Sequence, residues 1–572
     1  MSAIAAGSMN LEILSPTSRF EREQTMKPSA VTIDPIDLSI MWDRLISITD
    51  EGSAALVRAS FSTLVREGFD LTVLIFDAAG RMIAQSAKCI PVFIGTAPVT
   101  LFHMLKKFPK SELRPGDVVI SNDPMIGTGH MFDIAVMRPI FDGGEIVGYA
   151  MSITHLPDIG GMGFSVSATQ IYHEGLRLPI CKLFKAGKLD SDLVELIELN
   201  VRVPDQVIGD IFANVSCIEI VARHVIDFMR EYGLSTLSGL ADSILFSSDN
   251  AVRSALLKLP DGSFTSATEV EALAEVRKLN CAVRKIGDRV DVDFAGTGPC
   301  VAAGINVPFP YTRAMVLYAI KCLTTPEIPN NEGAMQAVSV SAPPRSILNA
   351  VPPSPSAGRH TIGHFVLPLI FSALSRIIPD RVNAASGLID IVTFQGKHRD
   401  GTELASTYFA SGGFGAANGL DGYPTLPGSS NMGRTPVEIF EPVSELTILR
   451  KELRPDSGGA GAFAGGVGQT VVLRNDTGHD LRVYSMANRT LFPAAGLFGG
   501  KPGALREHWI GSDKVSGQGS YILKPDETMT VKQAGGAGYG DPAERDRMAI
   551  RGDIERGFLT PDGAYEAYDF CG

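Results

Sequence analysis

Two histidines of this chain stand among carboxylates at spacings that could hold a metal ion. Asn122-Asp123-Pro124 leads to Gly129-His130-Met131-Phe132-Asp133, and Thr154-His155-Leu156-Pro157-Asp158-Ile159-Gly160-Gly161 follows. The chain has ten histidines in 572 residues, and no other stretch collects imidazole and carboxylate so densely. That donor mixture suits Zn, Mn or Fe. Gly127, Gly129, Gly160 and Gly161 let backbone approach a ligand closely. The plainer reading is a hydrogen-bonded His–Asp pair that orders the ends of a hairpin, with Asp123 and Asp158 as ordinary turn residues.

The positioning elements follow from the surrounding pattern. Residues 134–141 are mostly apolar and strand-like, Asp142-Gly143-Gly144-Glu145 is a turn, and 146–154 is the return strand. A three-residue loop, Gly143 to Glu145, sets Asp142 opposite Ile146 and, counting outward, Asp133 opposite His155. Directly opposed residues have Cβ atoms about 5 Å apart on one face, close enough to share an ion. A two-residue loop pairs Phe132 with His155 instead, so the site depends on register. His130, just outside the strand, can fold over the same spot.

Asp34-Pro35 starts a helix whose apolar residues, Trp42, Leu45, Leu56 and Phe61 among them, recur at helical spacing. A hairpin spans 71–86. A helix from Val99 to Phe108 follows Pro98, then a short strand at 117–121, and 185–260 reads as helical. Past Pro260-Asp261-Gly262 come strands at 276–286 and 290–294, a helix at 311–323, a strand at 337–341 and a helix at 364–378. Glycine clusters sit at 411–416, 458–468, 498–503 and 535–540 among many short strands, and Gly459 to Gly468 reads as turns in a β-rich region. The expected fold class is α+β, large, mixed and multi-domain, with a helix-rich N-terminal half and a strand-rich C-terminal half. The expected division is a flexible N-terminal arm (1–33), a metal-site α+β domain (34–260), a central α+β domain (261–400) and a β-dominated C-terminal domain (401–572).

Composition narrows the function classes. At 45% hydrophobic and 20% charged the chain can bury a large core. A net charge of −12 disfavours nucleic acid and anionic membrane surfaces. The longest apolar run, Phe365 to Leu374, falls short of the ~20 residues a membrane span needs. The seven cysteines are scattered and never form C-x-x-C, which argues against a disulfide framework or a cysteine zinc site and makes the cytoplasm the expected compartment. Residues 1–30 carry no secretory signal pattern. There is no Gly-x-x-x-x-Gly-Lys-Ser/Thr phosphate loop, and Gly459 to Gly468 has no following lysine.

Further runs stand beside the metal-type motif: Glu67-Gly68-Phe69-Asp70, Arg114-Pro115-Gly116-Asp117, Glu174-Gly175-Leu176-Arg177, Asn200-Val201-Arg202, Asp293-Phe294-Ala295-Gly296-Thr297, Pro329-Asn330-Asn331-Glu332-Gly333, Arg454-Pro455-Asp456-Ser457-Gly458-Gly459 and Gly538-Tyr539-Gly540-Asp541-Pro542. With these motifs the chain resembles the hydantoinase B/oxoprolinase family from about residue 34 to its end. The resemblance implies a metal, often manganese, held by a glutamate, two histidines and an aspartate. By motif these are Glu67, His130, Asp133 and His155, with the Glu67 alignment resting on nearby Asp70. A two-metal member adds Asp123 and Asp158 as ligand or catalytic candidates. The resemblance also implies that ATP is bound by a hydantoinase A-like partner subunit, in a hetero-oligomer such as (AB)2. That partner would phosphorylate a cyclic amide which this chain then opens. A ketone carboxylase subunit and a non-catalytic scaffold are the alternatives.

Two departures touch the expected pocket. Cys89-Ile90-Pro91-Val92-Phe93 lacks the histidines that family members often carry, and Arg359-His360-Thr361-Ile362-Gly363-His364 replaces small and polar residues. His360 and His364, spaced i, i+4, suit a pocket or interface role. Arg177, near His173-Glu174, is a candidate to orient substrate or partner, with a structural ion pair as the alternative.

Overall fold

A computed structural model describes residues 33–426 and 428–571. Apart from Ile33, the expected N-terminal arm lies outside the described residues. The chain folds as an α+β assembly of four main sheets. The first sheet has seven strands in the order β2-β1-β5-β4-β3-β6-β7. They are β1 (Leu71–Asp77), β2 (Met82–Gln85), β3 (Val118–Ser121), β4 (Asp133–Asp142), β5 (Glu145–His155), β6 (Cys181–Lys185) and β7 (Lys188–Leu189). β5 is central and buried along nearly its whole length, so its residues run apolar without alternation, as a strand covered on both faces does.

The surrounding helices are α1 (Pro35–Ala59), α2 (Phe93–Lys107), α3 (Pro204–Glu231), α4 (Ser238–Leu256), α5 (Phe309–Thr324) and α6 (Val366–Leu374). α1 packs on β1, and α3 on β4 and β5. Asp34 caps α1 by accepting from the Ile36 N–H at 2.9 Å, and Pro35 occupies its first turn. α2 begins at Phe93, ahead of the expected start, and carries Pro98 inside it. The proline sits early in the helix, where it forfeits the bond to the Ile94 carbonyl, and burial of Phe93, Ile94 and Ala97 outweighs that loss. Gly95 lets α2 meet α5 closely: a Cβ there would lie 2.6 Å from the Ala314 Cα. The expected helix over 364–378 is present as the shorter α6, preceded by a short helical turn, His360–Gly363.

The second sheet runs β11-β10-β9-β8, from β8 (Gly262–Ala272), β9 (Glu275–Ile286), β10 (Arg289–Asp293) and β11 (Val338–Ser341). β8 and the small β6–β7 hairpin are absent from the sequence reading. Much of β8 is a polar, half-exposed stretch that only its pairing with β9 defines.

The last third holds two facing sheets. One is β13-β12-β16-β19, from β12 (Ile389–Lys397), β13 (Glu403–Ser411), β16 (Leu481–Met486) and β19 (Gln518–Leu523). The other is β14-β15-β20-β17-β18, from β14 (Leu446–Leu453), β15 (Gln469–Asn475), β17 (Glu507–Ile510), β18 (Asp513–Val515) and β20 (Thr528–Lys532). They share a core of Val392, Phe394, Val471, Leu473, Val483 and Val531. No helix among the described residues is long and apolar enough to cross a membrane.

The glycine clusters are chiefly not turns. Segments around 384–388, 411–416, 457–468, 494–504 and 533–540 run beside one another and bond through their backbones. Gly413 N–H donates to the Ala534 carbonyl at 2.9 Å, Gly466 to Phe414 at 2.9 Å, Gly536 to Gly466 at 2.9 Å and Gly538 to Lys501 at 3.0 Å. A Cβ on Gly413 would sit 1.7 Å from the Gly466 oxygen, and one on Gly535 would sit 1.6 Å from the Ser457 oxygen. Side chains are excluded because neighbouring backbones occupy their space.

Candidate metal centre

β4 begins at Asp133, β5 ends at His155, and the two residues are partners in the ladder. The route to that pairing differs from the expected three-residue loop. The turn is the two-residue Gly143-Gly144, with φ of 55° and 92°, the left-handed pair that a type I′ turn requires. Asp142 therefore pairs with Glu145. Continued unchanged, that register would put Phe132 against His155. Val147, however, bulges out between the pairs Phe141–Ile146 and Ile140–Gly148. The extra residue restores Asp133 to His155.

On the other side of β5, β1 pairs in register from Asp77–Gly148 to Leu71–Thr154. One step beyond, the His155 N–H donates to the Asp70 carbonyl at 3.1 Å. His155 thus has a carboxylate-bearing residue on each neighbouring strand.

The side chains converge. His130 Nε2 is 2.8 Å from Asp133 Oδ2, and His155 Nδ1 is 3.4 Å from Asp133 Oδ1 and 3.5 Å from Asp70 Oδ2. One donor atom from each of His130, Asp133 and His155 lies within 4.8 Å of the other two. All three residues are buried; His130 Nδ1 has no partner, and the contacts of His130 Nε2 and Asp133 Oδ1 inside the cluster lack hydrogen-bond geometry. Each such atom costs about 1–3 kcal/mol when left unmet, and a cation between them would satisfy them together. Two imidazoles with carboxylate oxygen fit Zn, Mn or Fe. Phe132 stacks on His155 with centroids 5.3 Å apart, and Phe164 packs against His130 and His155 at 5.6 and 5.0 Å, fixing the ring planes.

Burial, together with the Arg359 guanidinium, pushes the His130 imidazole down to about 3, so it stays neutral as a metal ligand must. Burial works against the Asp133 carboxylate, but His130, His155 and Arg359 hold it well below the usual range. Burial pushes Asp70 up to about 6 against the pull of His155. Arg359 donates to Asp133 Oδ2 at 3.2 Å and to the Thr128 carbonyl at 2.8 Å, and lies over the Tyr311 ring at 4.7 Å.

The remaining sequence candidates sit elsewhere. Glu67 is half-buried at the C-terminal end of the short helix Thr63–Arg66 and is not among the converging ligands. Asp70, one residue before β1, is the carboxylate that lies beside His155, at 3.5 Å. Asp123 is clasped by Arg177 Nη2, at 2.8 and 2.7 Å to its two oxygens. This is the ion-pair reading of Arg177, and it holds Asp123 outside the cluster. Asp158 accepts from Arg202 Nη1 at 2.7 Å and from the Gly160 N–H at 3.2 Å, which orders the Gly160-Gly161 loop. Asn122 donates to the Met131 and Leu176 carbonyls at 2.8 and 2.9 Å and accepts from the Leu178 N–H at 2.6 Å, tying the His130 loop to the sheet. Asp70 could have been found by counting β1 against β5, since it precedes a clear strand. Arg359 carried no signal beyond its unusual neighbours.

The hydantoinase B/oxoprolinase family profile matches residues 34–542. The chain belongs to the hydantoinase B/oxoprolinase family. Among its relatives is an uncharacterised protein of Methanocaldococcus jannaschii, 30% identical, with 94% of this chain and 96% of the relative covered. The caprolactamase subunit beta of Pseudomonas jessenii is 28% identical over 94% of this chain and 96% of its own. The crystal structure of the ATP-dependent caprolactamase from Pseudomonas jessenii superposes with a TM-score of 0.88 at 26% identity, covering 94% of this chain and 96% of that one. The nucleotide-free acetone carboxylase structure shares the fold, with a TM-score of 0.86 at 19% identity over 94% of this chain and 79% of the other. The hydantoinase B/oxoprolinase fold is therefore present nearly end to end.

Proposed function

We propose that this chain is the metal-bearing subunit of an ATP-dependent cyclic amide hydrolase of hydantoinase, 5-oxoprolinase or lactamase type. A partner subunit binds ATP and activates the amide by phosphorylation. The observation that carries the reading is the convergence of His130, Asp133 and His155, with Asp70 beside them, inside a chain akin to a caprolactamase subunit beta. The residues' roles follow from their state. Neutral His130, His155 and anionic Asp133 hold the ion, Asp70 adds a carboxylate, and Arg359 fixes the Asp133 orientation. A metal held there supplies Lewis acidity toward a carbonyl and lowers the pKa of water.

The test is metal analysis of the purified chain and of Asp133→Ala. It is joined to turnover of hydantoins and lactams by the co-purified complex, with and without ATP and bicarbonate. The expected result is a bound divalent metal that Asp133→Ala loses, and ATP-dependent ring opening. ATP- and bicarbonate-dependent consumption of a ketone, without ring opening, would select the carboxylase alternative. Full turnover by a His130→Ala, His155→Ala double variant would select the scaffold.

A further inference from the structure

Among the described residues Arg489 is a buried cation, 3% exposed, with no carboxylate oxygen within 4.0 Å. It stands between β16 and the glycine segment 494–504 in the chain. Its Nε donates to the Ser386 carbonyl at 3.3 Å and its Nη1 to the Pro493 carbonyl at 3.2 Å, which leaves Nη2 without a hydrogen bond among the described residues. The guanidinium lies over the Phe365 ring at 4.4 Å. A ring face answers part of the charge, but a buried arginine is ordinarily paired. Glu271, the carboxylate that acts on it from farther off, is taken up by backbone: its Oε1 accepts from the Thr490 and Leu491 N–H groups at 2.6 Å each. Burial, with Arg506 adding to it, pushes the Arg489 guanidinium down to about 10, so it stays charged at neutral pH.

The backbone marks the same residue. Arg489 has a φ of 62°, a left-handed conformation that glycine adopts freely and a long side chain does not. The position keeps arginine for what its side chain reaches. That is a pit of about 80 Å³, lined by Thr268, Phe365, Ser372, Asn383, Arg489 and Leu497 among others. It holds roughly five to eight waters at ~10–15 Å³ each, enough for one tetrahedral oxyanion. Ser372 is exposed at its mouth, and half-buried Thr268 and Asn383 offer a hydroxyl and an amide N–H. None of the metal-cluster residues lines it. The chain as a whole carries −12, so an anion would be drawn here by this local cation and not by the general field.

We propose that Arg489 anchors a binding site for one small oxyanion, phosphate or a carboxylate, separate from the metal centre. A planar guanidinium presents paired N–H groups that match two oxygens of either. The site does not depend on the hydrolase reading.

The test is calorimetric titration of the full chain with inorganic phosphate and, separately, with acetate, before and after a chelator has removed any metal. Saturable submillimolar binding is expected, with a rise in melting temperature, since a ligand of the native state stabilises it. Metal removal should leave that binding unchanged, and Arg489→Met should weaken it at least tenfold. Ser372→Asp changes an exposed residue, so it keeps the test open if Arg489→Met fails to fold. It sets a negative charge at the mouth of the pit and should weaken binding as much. Tighter binding of phosphate would support the site with inorganic phosphate as its occupant, and tighter binding of acetate would support it with a carboxylate. No saturable binding of either anion, binding that vanishes with the metal, or binding that Ser372→Asp leaves unchanged would each overturn the inference.

Discussion

Asp133 faces His155 because Val147 is left out of the ladder between them and the hairpin turn. Deleting Val147 turns the hairpin regular and moves Phe132 opposite His155, since a one-residue slip sends every side chain to the other face. The metal content of the purified deletion variant should fall more than tenfold, whereas Val147→Ala should keep it. Retained metal in the deletion variant would show that the bulge does not set the site.

Asp70 and Glu67 compete for one role. Asp70 Oδ2 is 3.5 Å from His155 Nδ1, while Glu67 stands outside the cluster. Asp70→Asn should weaken metal affinity by about 10- to 100-fold, the range seen when a carboxylate partner of a metal-binding histidine is lost. Glu67→Gln should leave it unchanged. Competition with a chromophoric chelator measures both, and the opposite ranking would restore Glu67.

Glu174 is buried beneath the segment that carries Arg359 and His360. Its Oε1 accepts from the Ser356 and Ala357 N–H groups, each at 2.6 Å. Burial pushes its carboxyl from 4.5 up to about 8, and those two bonds only partly oppose it. A raised acid pKa in the folded state contributes stability that is full below 4.5 and is lost as pH rises toward 8. The slope inside that window is at most about 1.4 kcal/mol per pH unit. Glu174→Gln should lack this slope, so the wild-type melting temperature should fall relative to the variant between pH 5 and pH 8. Parallel curves would mean that the carboxyl titrates at its ordinary value.

Asp390 lies within a sealed polar knot in the C-terminal half. His508 Nε2 meets Asp390 Oδ2 at 2.7 Å, Ser485 Oγ meets His508 Nδ1 at 2.7 Å, and Gln533 donates to Asp390 at 2.8 Å. The residue types are those of a nucleophilic triad, but Ser485 and Asp390 are completely buried and His508 almost so, which makes the knot structural. Asp390→Leu strands the Arg506 charge and should cost about 3–5 kcal/mol in urea unfolding, with the metal content of the folded fraction intact. A smaller loss than about 1 kcal/mol would show that Arg506 finds other partners.

Gly413 and Gly552 should respond oppositely to alanine. A Cβ on Gly413 meets the Gly466 oxygen at 1.7 Å, whereas on Gly552 the nearest atom is the Arg556 side chain at 3.7 Å. Gly413→Ala should leave little soluble protein. Gly552→Ala, inside the helix Arg547–Glu555, should be neutral or stabilising by up to about 1 kcal/mol. Thermal unfolding of the soluble fractions compares them.

Much of the candidate metal centre was legible because His130, Asp133 and His155 flank an apolar hairpin with a visible Gly-Gly turn. The pairing of Asp133 with His155 was reached through a loop of the wrong length, and the Val147 bulge supplied the missing residue; nothing in Ile146-Val147-Gly148 marks which residue drops out. Asp70 precedes a plain strand, and counting β1 against β5 reaches it once the two strands are known to be neighbours, which is a tertiary fact. The long helices α1, α3 and α5 follow from apolar spacing. β8 and the glycine segments do not, because their conformation is set by the partners they bond rather than by a periodic apolar face.

The glycine bundle also bears on the order in which the molecule is completed. Its strands are drawn from segments as far apart as 384–388 and 533–540. Glycine loses more chain freedom on ordering than any other residue, so no one segment has reason to settle alone. The sheet that carries His130, Asp133 and His155 ends at Leu189, so during synthesis it can form well before the bundle. The bundle must wait for residues 533–540 to leave the ribosome, and a nascent chain stopped near residue 530 should hold the β4–β5 hairpin while the glycine seam stays open.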